Sequence, residues 1–181
     1  MSEIVERVYR SVLVVRCQAG DPSAFEELVG LYQPRLRYFL ARMVGDDHAV
    51  DDLLQEVWLD VYRGVGRLAD SGAFHTWLYQ IARNRALREL RKRYQPVASL
   101  EGIDVPEEEE EDFTADDAER VHAALAHLVP EHREVLLLRF IEGLSYEDIA
   151  RVTGCQTGTV RSRIHYAKRA LRRVMEVAHH E

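Results

Sequence analysis

A chain of 181 residues, 46% hydrophobic and 30% charged, has room for one compact domain or two small ones and an ordinary globular composition. Its net charge of −7 argues against a polyanionic partner only until it is divided: residues 1–95 hold 14 basic against 13 acidic residues, 96–119 hold none against 11, and 120–181 hold 10 against 7. No apolar run approaches the ~20 residues that span a bilayer, and the opening MSEIVERVYRSVLVVRC has early acidic residues and no small-residue cleavage site, so a cytoplasmic protein without membrane insertion is expected.

In chain order, Asp21-Pro22 reads as an N-cap followed by proline at the first helical position. The helix SAFEELVGLYQPRLRYFLARMV follows, with a kink expected at Pro34 and an end at Gly45. Asp46 or Asp47 caps the next helix, HAVDDLLQEVWLDVYRGV, whose core stripe is Val50, Leu54, Val57 and Val61 with Leu53 and Trp58 flanking. Its opposite face carries Asp52, Gln55, Glu56, Leu59 and Arg63. Leu59 has two readings: a single exposed apolar residue of the common kind, or the anchor of a protein-binding patch among acidic neighbours.

After the loop RGVGRLADSGA comes FHTWLYQIARNRALRELRKR, apolar at Phe74, Trp77, Leu78 and Ile81 and carrying six basic residues from Arg83 to Arg93 (Arg83, Arg85, Arg88, Arg91, Lys92, Arg93) against Glu89. Aromatics leading into a basic helix suit melted nucleic acid, where cations follow the backbone and bases leave the stack. For Phe74 and Trp77 core packing stands as the competing reading. Gln95–Glu119 then has two prolines, one glycine and five consecutive glutamates, and reads as an extended, self-repelling linker. With no repeat and almost no strand signal, the chain divides into two all-α domains, 1–95 and 116–181, joined by an acidic linker, 96–115.

The second domain holds EGLSYEDIARVTGCQTGTVRSRIHYAKRALRR. Ser145 and Asp148 have capping-box spacing, Gly154 can end the first helix in the left-handed conformation, and Thr157 is placed to cap a second. There Val160, Ile164, Ala167 and Leu171 form one buried stripe. Thr159, Ser162, His165, Tyr166, Arg169 and Arg173 turn outward, with Arg161 and Arg172 at the margin. Such a helix-turn-helix fits a major groove: cations meet phosphate, and shorter polar side chains reach base edges. A solvated basic face on an ordinary helical hairpin is the competing reading. Cys17 and Cys155 lie far apart without CxxC or zinc spacing, which favours two buried thiols, no metal site and no cofactor.

Together, DDLLQEVWLDVYR, FHTWLYQIARNRALRELRKR, the acidic stretch and LVPEHREVLLLRFIEGLSYEDIARVTGCQTGTVRSRIHYAKRALRR resemble bacterial sigma-70 factors, over about residues 18–176, and more narrowly the extracytoplasmic function (ECF) group, which keeps regions 2 and 4. The resemblance implies a factor that binds core RNA polymerase, directs it to promoters and helps open the DNA. It implies docking of the helix Asp51–Arg63 on the polymerase through Asp52, Gln55, Glu56 and Leu59. It implies a −10 pocket from the loop Gly66–Ala73 and the helix beginning at Phe74, with Asn84 reading a flipped base and Arg83, Arg88 and Arg91 on phosphates. The −35 element would be read from Thr157–Arg173 by Thr159, Arg161, Ser162, His165, Tyr166 and Arg169, while the other face of that domain touches the polymerase flap. Glu107–Asp112 would either occupy the RNA exit channel or serve as a solubilising tether. An anti-sigma factor is a further implied partner, sometimes holding such factors at the membrane; in holoenzyme the chain would sit on the nucleoid. Tyr166 and Lys168 depart from the arginines common in relatives, and Val177–Glu181 match nothing.

Two other classes compete. A stand-alone helix-turn-helix regulator explains the second domain but not the basic aromatic helix. An enzyme lacks support: there is no Walker A loop, no G-x-S-x-G and no metal-ligand cluster, and no small-molecule substrate is expected.

Overall fold

The computed structural model describes residues 3–93 and 118–177, and among them all regular structure is helical. The expected linker 96–115, Glu107–Asp112 and the paired His179–His180 lie outside the described residues. The chain splits into two compact units, Met1–Gln95 and Pro96–Glu181.

The first unit packs four helices: α1 (Glu3–Gln18), α2 (Pro22–Val44), α3 (Asp47–Gly64) and α4 (Phe74–Arg93). Leu28, Leu36, Phe39, Leu40, Met43, Val57, Val61, Leu78 and Tyr79 fill its core. The start of α2 forms as its sequence dictates: Asp21 Oδ1 accepts from the amides of Ser23 (3.0 Å) and Ala24 (3.3 Å), and Pro22 occupies the first turn, where no donor is needed. α2 continues through Pro34 as one 23-residue helix, and Gly45, at φ 68°, closes it by donating to Ala41 O. Of the two aspartates offered for the next cap, Asp46 accepts from His48 N at 2.9 Å, and α3 starts at Asp47.

The sequence reading does not anticipate α1. Five valines between residues 1 and 17 blur its helical period. Leu13 and Val14 seal against the core, while Ile4, Val8, Val12 and Val15 remain exposed.

The second unit contains α5 (Ala118–Leu125), α6 (Pro130–Leu136), α7 (Tyr146–Thr153) and α8 (Thr157–Val177). α6 is central: Arg133 to Leu138 are all buried, and the helix ends in a wide π-type turn, Leu137–Ile141, where Glu142 N reaches back to Leu137 O at 3.1 Å. A buried Arg133 secures the end of α5, donating through Nε to Leu125 O (2.9 Å) and through Nη2 to Ala126 O (3.0 Å) and Leu128 O (2.8 Å). One guanidinium thus bonds three carbonyls at and just beyond the end of α5, the condition for burying it. Cys17 and Cys155 are free thiols in different units, half-buried rather than fully buried as expected.

Candidate nucleic-acid and partner interfaces

Three surfaces carry the residues singled out by the sequence. On α3, Val50, Leu53, Leu54, Val57 and Val61 face inward, so the helical period turns Asp52, Gln55, Glu56 and Leu59 to solvent. Leu59 is 47% exposed, and the sequence reading missed a second apolar member of this face, Tyr62, at 68%. Phe25 of α2 supports it: its ring meets Tyr62 edge-on at 5.3 Å between centroids and Trp58 at 6.0 Å. Tyr62 lies three residues beyond Leu59, a helical neighbour, so the spacing already contained this signal. A shallow groove of about 310 Å³ continues the face, lined by Asp52 and Glu56 from α3 and by Glu89 and Lys92 from α4. Lys92 Nζ lies 3.3 Å from Glu89 Oε2.

On α4, Asn84, Arg88 and Arg91 are exposed and recur at four and three residues, so they share one face; Arg83 is half-buried beside it. Phe74 is 1% exposed and belongs to the core, meeting Tyr32 edge-on at 5.5 Å. Trp77 is different. It is half-buried and lines a recess of about 360 Å³ with Asp60, Arg63, Gly64, Arg67, Leu68 and Ala69. The loop forming one wall is held in place. It folds as two 3₁₀ turns, Val65–Arg67 and Ser71–Ala73, with Asp70 Oδ1 accepting from Gly72 N at 2.8 Å. From the end of α1, Gln18 Nε2 donates to Val65 O (3.0 Å) and Leu68 O (2.8 Å). One side-chain amide thus ties two loop carbonyls, 47 and 50 residues away, which sequence spacing could not reveal.

In the second unit, α7, the turn and α8 form the expected helix-turn-helix. Ser145 Oγ accepts from Asp148 N at 3.0 Å, the cap its spacing predicts, and donates to Asp148 Oδ2 at 2.7 Å, so the carboxylate meets the serine hydroxyl. Gly154 takes φ 71° and donates to Ala150 O. Thr157, expected as the next cap, is instead the first residue of α8, and Gln156 O accepts from Val160 N at 3.1 Å. Val160, Ile164, Ala167 and Leu171 are buried as one stripe. Arg161, Arg169, Arg172 and Arg173 are exposed, and Thr159, His165 and Tyr166 are half-buried.

Ser162 does not turn outward as expected. Only 9% of it is accessible, and its hydroxyl donates to Thr159 O at 3.0 Å. Long helical side chains lean back over the preceding turn, the direction in which Ser162 lies from His165 and Tyr166, three and four residues on. Their rings meet edge-to-face at 5.3 Å. Lys168, where relatives often carry arginine, is half-buried, with its Nζ 5.5 Å from the Phe140 ring centroid.

The chain thus carries a four-helix unit with an acidic-apolar face and a separate basic face, and a second unit with a helix-turn-helix. Comparison with known proteins narrows the class. Residues 28–95 match the Sigma-70 region 2 family and residues 118–171 the Sigma-70, region 4 family. RNA polymerase sigma-H factor of Pseudomonas aeruginosa is 39% identical over 178 residues, covering 91% of this chain and 92% of that protein. ECF RNA polymerase sigma-E factor of Haemophilus influenzae is 35% identical over 182 residues, covering 91% and 94%. Among solved structures, the sigma factor RpoE of Bartonella quintana, in complex with the anti-sigma factor NepR, matches with TM-score 0.66 at 26% identity over 84% of this chain and 97% of that one. CnrH, solved with the cytosolic domain of CnrY, shares the fold at TM-score 0.72 and 23% identity, covering 93% and 98%. The chain belongs to the sigma-70 family, in its ECF group, and is a transcription initiation factor. No helix among the described residues is long and apolar enough to cross a membrane.

Proposed function

We propose that this sigma factor binds core RNA polymerase through α3, holds the −10 region of a promoter against α4 and the recess beside it, and reads the −35 element with α8. The observation that carries the reading is the division of labour within the first unit. The face with Asp52, Gln55, Glu56, Leu59 and Tyr62 suits a protein partner bearing basic and apolar groups, while the face with Asn84, Arg88 and Arg91 suits a nucleic-acid backbone. The recess at Trp77, lined by Asp60 and Arg63 of α3 and by the loop that follows, is large enough for a base taken out of the stack, which supports this reading. Asn84 would read that base, with Arg83, Arg88 and Arg91 on phosphates. On α8, Thr159, Arg161, His165, Tyr166 and Arg169 would contact the −35 element, Arg161 and Arg169 being the exposed cations among them. Residues 1–95 and 116–181 would act as the two promoter-binding modules, joined through 96–115. The bond-making chemistry would belong to the polymerase, and the factor would act on the nucleoid unless an anti-sigma partner, such as the one on RpoE of Bartonella quintana, sequesters it.

Run-off transcription with core polymerase tests the whole reading: promoter-specific transcripts are expected only when the chain is added. Absence of any such transcript, together with failure to co-purify with core, would overturn it. Replacing Gln55 and Glu56 together with Ala should impair holoenzyme assembly while leaving DNA contacts of the second unit unchanged; normal assembly would remove α3 from the interface.

A further inference from the structure

Arg85 belongs to the basic run of α4, yet it faces α3. Its Nε and Nη2 both donate to Asp60 Oδ2, at 2.8 and 2.5 Å, and its Nη1 donates to Glu56 Oε2 at 2.7 Å. The side chain is 22% exposed, against 48% for Glu56. Glu56 and Asp60 are four residues apart on one helix, where like charges repel. The planar fork of arginine fits two such carboxylates, and their nearness, Asp60 above all, keeps the guanidinium firmly charged.

We propose that Arg85 is a positioning residue for polymerase docking, sequence-assigned to the DNA-binding helix but acting on α3. By engaging Oε2 of Glu56, it fixes that carboxylate in one orientation and leaves the second oxygen to a donor on the polymerase. The side-chain ordering that docking would otherwise require is completed when the protein folds. It also removes one cation from the promoter-facing set, leaving Arg88 and Arg91 as the exposed ones on that face. This inference rests on α3 being the docking surface.

A double-mutant cycle on core polymerase affinity tests it, using the full-length chain with Arg85→Ala, Glu56→Ala, both together, Arg85→Lys, and Leu59→Ala as a control on the docking surface. Arg85→Ala is expected to weaken core binding about tenfold, and to add little once Glu56 is already Ala. Arg85→Lys should recover only part of the loss, because an ammonium cannot span both carboxylates. Binding of a single-stranded −10 oligonucleotide to preassembled holoenzyme should be unchanged. Additive losses in the cycle would mean Arg85 acts only through general stability and would overturn the proposal. So would wild-type core affinity of Arg85→Ala, or a loss confined to oligonucleotide binding. If Arg85→Ala does not fold, Arg85→Gln carries the same cycle. Wild-type affinity of both Leu59→Ala and Glu56→Ala would instead overturn the docking surface itself. Losses in those two with none at Arg85 would overturn the positioning role alone.

Discussion

Gly64 and Trp77 share a space that admits no extra methyl. A Cβ on Gly64 would lie 2.8 Å from Trp77 Cζ2 and 3.1 Å from Cη2, so the indole must move. Gly64→Ala should therefore destabilise the first unit by about 1–3 kcal/mol, the usual cost of overfilling a packed contact. A thermal melt measures this, and tryptophan emission in a Trp58→Phe background reports the displaced ring. Asp21 makes a different kind of prediction. The hydrogen bond from Ser23 and the ion pair with Arg16 hold its carboxyl at about 2, below its ordinary 3.8. The charged form is thus favoured by folding, and its stabilisation is complete above about pH 4 and lost as pH falls towards 2. Asp21→Asn keeps an acceptor for the cap but no charge, so its melting temperature should vary less over that window than the wild type's. On α8, Arg169→Ala should weaken −35 binding by about 1–3 kcal/mol and lower the salt slope by about one. Lys168→Ala, whose ammonium sits over Phe140, should do neither; titration of a −35 duplex by holoenzyme at two salt concentrations separates them.

Among the elements, α3 was the most legible. Four of its five inward residues and the whole acidic face follow from period alone, because one side packs and the other meets water. α7 and its cap followed equally well, since Ser145, Asp148 and Gly154 act within a few residues of one another. α1 did not, because its valines conceal a helix that packing against α2 and the two 3₁₀ turns stabilises. Ser162 was misplaced for a related reason: a helical wheel gives direction but not the reach of neighbouring side chains. Of the candidate site, the exposed faces of α3 and α4 were readable from period, but the braces were not, for Gln18 and Arg85 act over 47 and 25 residues of sequence. The exposed Tyr62 extends the α3 face, and Tyr62→Ala should reduce core affinity about tenfold, as loss of an aromatic anchor does. Equilibrium binding to core polymerase gives the answer directly.

At the scale of the molecule, charge is partitioned more sharply than structure. The 11 carboxylates between residues 96 and 119 outweigh the slight basic excess on either side. A chain so balanced should bind DNA poorly alone and well only when polymerase engages both modules at once. Replacing Glu107–Glu111 by glutamine should therefore raise the free chain's affinity for duplex DNA, most clearly at low salt, as fluorescence anisotropy would register. The wide turn at the end of α6 has a consequence of another sort. Glu142 N bonds to Leu137 O at 3.1 Å and Leu144 N to Leu138 O at 3.0 Å, so the backbone stays internally bonded past the point where the helix stops. Deuterium should thus enter these two amides at the slow rate of the buried helix rather than at the rate of a connecting loop. A joint that exchanges like a core does not swivel, and the angle that α7 and α8 would present to DNA is then inherited from α6.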